Sequence, residues 1–301
     1  VFVKKDWNII LSELVKNDLT PNYISTKVPI TESIAEQLFK TGYNNVIQLS
    51  IDSLNPNILT KIIGSNKNYI KKMRAGIEIL QRYGFKIQID TILTKYNLKV
   101  EDILEMFEYI KSIKNLVYWE IRTPEKSIYN IKSFAEIKAK KGELLNIYHY
   151  IETNLIPNAP IRILTSKEPL NAEFYYGNNE IECFKEGACG ALNNNCFVLP
   201  DGKVTLCEQL YWHPKFVIGD LKEQTIQQMW TSDKAKALLN VQSESNRKES
   251  ACKTCNSFDF CSAKRRKCWA KIINAYGEKN WDFPDPRCEY APVVHPDLIY
   301  N

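Results

Sequence analysis

Eight cysteines, Cys183, Cys189, Cys207, Cys252, Cys255, Cys261, Cys268 and Cys288, follow one another through the C-terminal part of the chain at spacings that suit metal ligation. Thiolates are soft, anionic ligands for iron-sulfur clusters and for zinc, and a four-thiolate site needs four of them gathered by turns or by helix spacing. Eight ligands make two such sites. Cys252-x2-Cys255 alone would also fit a zinc knuckle, because thiolate spacing does not by itself select iron over zinc. Disulfides are the other use for so many cysteines. Against them stand the lack of an apolar signal-peptide core at the start and a length of 301 residues, too large to need staples. A reducing, cytoplasmic setting is expected.

The elements that must position these thiols fall into three stretches. Residues 1–125 alternate short apolar strands with amphipathic helices, which predicts repeated βα units around a parallel sheet. Strands are predicted at 23–26, 46–51, 86–93 and 117–121. Helical spacing is carried by Trp7, Leu11 and Leu14, by Ala35 and Leu38 behind the N-cap Thr31, by Met73, Ile77 and Leu80, and by Met106, Phe107 and Ile110. Residues 126–172 read as a bridging segment with a further strand near 161–164. Residues 173–301 are turn-rich and cysteine-punctuated, with short helices predicted at 225–230 and 263–276.

A hydrophobic content of 44% can build a sizeable core, and the formal charge of +5 is spread through Lys-rich helices rather than gathered in one tract. That pattern describes a solvated surface and argues against a nucleic-acid partner. No run of about 18 or more apolar residues offers a membrane span.

A βα half-barrel followed by this cysteine order resembles the radical S-adenosylmethionine enzymes that carry a C-terminal SPASM domain. Cys189-x12-Gly202-x4-Cys207, Cys252-x2-Cys255-x5-Cys261 and the last Cys288 match the family's cluster-binding pattern, and the likeness covers almost the whole chain. The resemblance implies an α/β fold: a partial (β/α)6 barrel over 1–125, a bridge over 126–172, and a SPASM domain over 173–301. It also implies two auxiliary 4Fe-4S clusters. One would take Cys183, Cys189, Cys207 and Cys268, the other Cys252, Cys255, Cys261 and Cys288. The family has a cysteine four residues after Cys261, where this chain has Arg265. A continuous helix after Cys261 would put 265 and 268 on one face, so that Cys268 could serve instead. Cys196 is left over, as an alternative to Cys189, a free thiol beside the cluster, or an inert buried residue.

In the half-barrel, Tyr23-Ile24-Ser25-Thr26-Lys27 resembles the strand that ends beside the cofactor, and Ser50-Ile51-Asp52-Ser53 resembles the motif of the next strand. The resemblance makes Ser25, Thr26, Ser50 and Asp52 contacts for S-adenosylmethionine and Arg122 the partner of its carboxylate. The alternative is structural: the hydroxyls and the carboxylate cap loops, and Arg122 pairs with Glu120 or Glu125. Glu208, next to Cys207, corresponds to the position of a catalytic base in sulfatase-maturing members. Tyr211 and His213 are second candidates.

The Cx3Cx2C that holds the family's radical-generating cluster occurs nowhere in these residues, and no cysteine precedes Cys183. The chain starts at Val1, so an upstream segment carrying that cluster and part of the S-adenosylmethionine site is expected. A degenerate member without radical chemistry is the alternative. The expected activity is post-translational modification of a peptide or protein side chain through 5'-deoxyadenosyl radical hydrogen abstraction, with a flavodoxin or ferredoxin as electron donor. The competing function is a non-catalytic SPASM protein that binds a peptide or relays electrons.

Overall fold

The computed structural model describes residues 2–124, 131–166, 174–177, 180–184 and 189–292. The chain forms two compact units, one of residues 1–125 and 132–168, the other of 126–131 and 169–300.

In the first unit β1 (Tyr23–Thr26), β2 (Val46–Ser50), β3 (Lys86–Ile92), β4 (Leu116–Arg122) and β5 (Arg162–Ser166) join in that order into a parallel sheet. The helix α1 (Trp7–Lys16) precedes β1, and α2 (Glu32–Lys40) leads to β2. Next come α3 (Pro56–Ile63) and α4 (Tyr69–Arg82) before β3, α5 (Val100–Lys111) before β4, and α6 (Ile131–Ile137) and α7 (Lys141–Tyr150) before β5. The strand predicted within the bridging segment is thus the fifth strand of this sheet, with Trp119 opposite Ile163.

Side chains alternate across a strand, so each strand sends one set to either face. Ile47, Leu49, Ile89, Trp119 and Ile121 pack with Leu38, Met73, Ile77, Met106 and Ile110 in one core. Helix α4 crosses residue 30 so closely that a Cβ on Gly76 would lie 2.9 Å from the Ile30 backbone nitrogen. Only glycine fits there.

The second unit holds an antiparallel hairpin of β6 (Phe174–Gly177) and β7 (Glu180–Phe184), and an antiparallel sheet of β8 (Phe197–Val198), β9 (Lys203–Thr205) and β10 (Val217–Asp220). Four helices follow, α8 (Ile226–Trp230), α9 (Asp233–Leu239), α10 (Phe258–Ala263) and α11 (Trp269–Tyr276). Gly202 turns between β8 and β9 at φ +93°, which accounts for the glycine in the Cys189-x12-Gly202-x4-Cys207 pattern.

The continuous helix predicted over 263–276 is not formed. Arg265 takes a left-handed conformation at φ +55°, and the Arg266 N–H bonds back to the Cys261 carbonyl at 3.2 Å, closing α10. Cys268 then caps the start of α11 rather than following Cys261 along one helix face. Among the described residues no helix is long and apolar enough to cross a membrane.

Candidate functional site

The face of the parallel sheet opposite the apolar core is polar. Register places Ser25, Gln48, Gln88 and Tyr118 in one row across β1 to β4, and Ser50, Asp90 and Glu120 in the next row toward the C-terminal strand ends. Asp90 is buried and accepts hydrogen bonds from the Gln88 amide at 2.7 Å, from the Gln48 amide, and from Arg122 Nη2 at 2.5 Å. Arg122 Nε lies 3.9 Å from Glu120 and is buried without a hydrogen-bond partner. The Arg122 side chain is still 43% exposed, at the strand ends where parallel α/β sheets bind ligands. The sequence analysis missed Gln48, Gln88 and Asp90, although their period-two alternation with Ile47, Leu49, Ile87 and Ile89 was there to be read. Arg122 pairs with both Asp90 and Glu120; Glu125 lies outside the described residues.

Ser25 is exposed and Ser50 half-buried, both on the polar face. Thr26 falls opposite Leu49, on the other face, and its hydroxyl accepts the Val28 N–H at 2.9 Å. Asp52 is buried and accepts the Ile92 N–H at 2.8 Å, tying the exit of β2 to the end of β3. Burial pushes its carboxyl up, and the Ile92 N–H and Lys27 offset only part of this. Asn97, also buried, donates to the Asp52 carbonyl at 2.6 Å and accepts from the Thr94 N–H at 2.7 Å. These groups shape the rim.

In the second unit Cys189, Cys196, Cys207 and Cys268 pack against the core of Leu206, Phe216, Met229 and Ile273. The Cys268 thiol is pushed up to about 11, first by burial and further by Asp285 and the neighbouring thiols of Cys207 and Cys189. Burial likewise raises Cys207, with Cys189 and exposed Glu208 adding to it through like charge. Three thiols from distant segments, Cys189, Cys207 and Cys268, thus pack against one core. Arg265 braces the Cys189 segment: its carbonyl accepts the Cys189 N–H at 2.9 Å, and its guanidinium donates to the Ala191 carbonyl. Asp285, buried, accepts the Cys268 N–H at 2.9 Å and is gripped by Arg287 Nε at 2.8 Å. The Cys183 side chain lies outside the described residues.

Cys252 and Cys255 sit close enough for Cys255 to raise the Cys252 thiol, though burial is the larger cause. Cys261 is on α10, and Cys288 follows Asp285, donating its N–H to the Asp285 carbonyl at 2.8 Å. Burial raises Cys196 as well. His213 is buried between the rings of Trp212 and Phe216, and its Nδ1 accepts the Lys215 N–H; Tyr211 is half exposed. Among the described residues no three His, Cys, Asp or Glu side chains stand close enough to hold one metal ion. Zinc at about 2.3 Å from each thiolate would bring the sulfurs within roughly 4 Å of one another.

Residues 189–256 match the model of the SPASM family, described as an iron-sulfur cluster-binding domain. No curated protein matches the chain. Among solved structures, Streptococcus suis SuiB bound to S-adenosylmethionine has a TM-score of 0.64 and 18% identity, over 95% of this chain and 63% of that one. Native anSMEcpe with bound AdoMet and Cp18Cys peptide has a TM-score of 0.53 and 16% identity, over 96% of this chain and 76% of that one. Its complex with Kp18Cys peptide gives 0.52 and 17%, over 90% and 73%. At such identities the likeness is one of fold, and the chain spans 63% of the length of SuiB.

Proposed function

We propose, from a chain that joins the fold of radical S-adenosylmethionine enzymes to a SPASM iron-sulfur domain, that it works as part of a peptide or protein maturase. The observation that carries this is the convergence of Cys189, Cys207 and Cys268 on one buried core, two of them within the matched SPASM segment. The peptide complexes of anSMEcpe support a peptide as the substrate class. When bound, S-adenosylmethionine and its reducing cluster supply a 5'-deoxyadenosyl radical for hydrogen abstraction, and auxiliary 4Fe-4S clusters supply an electron acceptor.

Cys183, Cys189, Cys207 and Cys268 would hold one cluster, and Cys252, Cys255, Cys261 and Cys288 the other. Arg122 would offer the exposed part of its guanidinium to the cofactor carboxylate, beside the hydroxyls of Ser25 and Ser50. Asp52 and Thr26 would keep the strand-end loops in shape around it. Glu208, exposed next to Cys207, would take a proton as the substrate is oxidised. A flavodoxin or ferredoxin would deliver the electron.

Anaerobic reconstitution of this chain, followed by iron and sulfide analysis, should give about eight irons. Stoichiometric zinc without iron would overturn the reading. Cleavage of S-adenosylmethionine by the reduced full-length protein tests the enzyme itself. A second reading, a non-catalytic SPASM protein that binds a peptide or relays electrons, is favoured by one observation: the Thr26 hydroxyl and one carboxylate oxygen of Asp52 already accept backbone N–H groups. Clusters without cleavage would select it.

A further inference from the structure

The loop after β3 and the N-terminal end of α7 enclose a groove of about 630 Å³ at the C-terminal rim of the parallel sheet. Lys95, Lys99, Lys138 and Lys140 line it, over an apolar floor that includes the half-buried Leu98 and Val100. We propose that this groove binds an acidic peptide segment, its Asp and Glu side chains on the lysines and an apolar side chain on the floor. The peptide as partner class rests on the function proposed above; the charge and the place of binding come from the groove itself.

The charge is one-sided. The single carboxylate in the lining, Glu143, is committed to the Lys140 N–H at 3.2 Å. Among the described residues none of the four lysines forms an ion pair, and Asp102 lies within electrostatic reach of Lys99. Two ammonium groups also crowd one ring. Lys95 and Lys61 stand 5.0 and 5.5 Å from the centroid of Tyr96, and the ring offsets part of their repulsion. An acidic side chain laid between them would relieve it.

The walls are built in advance. Asn97 is buried and bonded to the Asp52 and Ile92 carbonyls and to Thr94, and the Lys95 N–H donates to the Ile137 carbonyl at 2.9 Å across the groove. A preformed site spares the ordering cost of binding. The volume suits a few residues of chain. The apolar floor would stay uncovered under a small inorganic anion, which favours a peptide carrying both acidic and apolar groups.

The test is fluorescence anisotropy of this chain with a short fluorescein-labelled peptide of alternating Glu and Leu, and with its Gln-for-Glu counterpart. The Glu peptide should bind, weaken as salt is raised, and lose about fivefold in affinity with Lys95→Gln plus Lys138→Gln, the order expected for two exposed ion pairs. The Gln peptide should bind far more weakly. Lys71→Gln plus Lys72→Gln, on the exposed side of α4, should leave affinity unchanged. Equal binding of both peptides, an equal loss in the control variant, or displacement of the peptide by a matched concentration of oligonucleotide would each overturn the proposal. The readout needs neither cluster nor cofactor. Cofactor cleavage without peptide binding therefore sinks the groove alone, and peptide binding without cleavage sinks only the proposed chemistry.

Discussion

Arg122 and Asp90 form an ion pair 2.5 Å long across β4 and β3, with the Asp90 side chain 2% exposed and that of Arg122 43% exposed. The arrangement fixes the guanidinium at the strand ends between Asp90 and Glu120, with part of its side chain open to solvent. Replacing Arg122 by Ala strands a buried carboxylate whose remaining donors are two neutral amides. The cost should be about 2 kcal/mol, below the roughly 3–5 kcal/mol of a fully buried pair because the guanidinium is half in water. Urea denaturation reads the stability. Calorimetric titration of S-adenosylmethionine into the full-length protein should show weakened binding, and undiminished affinity would remove Arg122 from the cofactor site.

Asp52 predicts a pH dependence with a defined sign. Its folded carboxyl is raised by burial, so the folded state holds the proton more tightly than the unfolded state. Stability should therefore fall as pH rises from the ordinary carboxylate range to the raised folded value, and level off above it. Asp52→Asn keeps an oxygen for the Ile92 N–H and should flatten that slope. Urea midpoints from acid to neutral pH measure this, and an unchanged slope would show that another group is responsible.

Asp285 positions Cys268 by accepting its N–H and is itself held by Arg287. Asp285→Ala leaves that N–H and a guanidinium without their partner and should cost about 3 kcal/mol. Thermal unfolding reads the loss, and iron retained after anaerobic reconstitution should fall with it. A variant with normal iron would mean Cys268 is placed by the core alone.

Cys268→Ser and Cys196→Ser should separate a ligand from a bystander. Because the proposed ligand sets interleave along the chain, loss of Cys268 should disturb both sites and leave fewer than about four irons per chain. Cys196→Ser should retain about eight. The reverse result would exchange the two roles.

Gly76→Ala sets two effects against each other. Alanine gains about 1 kcal/mol in helix propensity, but its Cβ would stand 2.9 and 3.0 Å from the backbone nitrogen and oxygen of Ile30. Backbone atoms cannot swing aside, and overpacking costs about 1–3 kcal/mol. A net loss in melting temperature is expected. An unchanged value would mean that α4 shifts freely over residue 30.

Amino-acid order alone determined the elements whose free energy is local. Apolar alternation over Val46 to Ser50 and Lys86 to Ile92, helical spacing through Met73, Ile77 and Leu80, and the Thr31 cap each report interactions within a few residues. The thiol spacing likewise raises the expectation of metal ligation, because Cys252-x2-Cys255 is a short-range pattern. Tertiary structure alone decided the partnership of Gln48, Asp90 and Arg122 on three separate strands. It also decided that Arg265 breaks the helix after Cys261 and braces Ala191, 74 residues away, and that Asp285 fixes Cys268. Such contacts leave no periodic trace. Their partners meet only after long loops have closed, so their energies depend on the packing of the whole unit and not on neighbours in the chain.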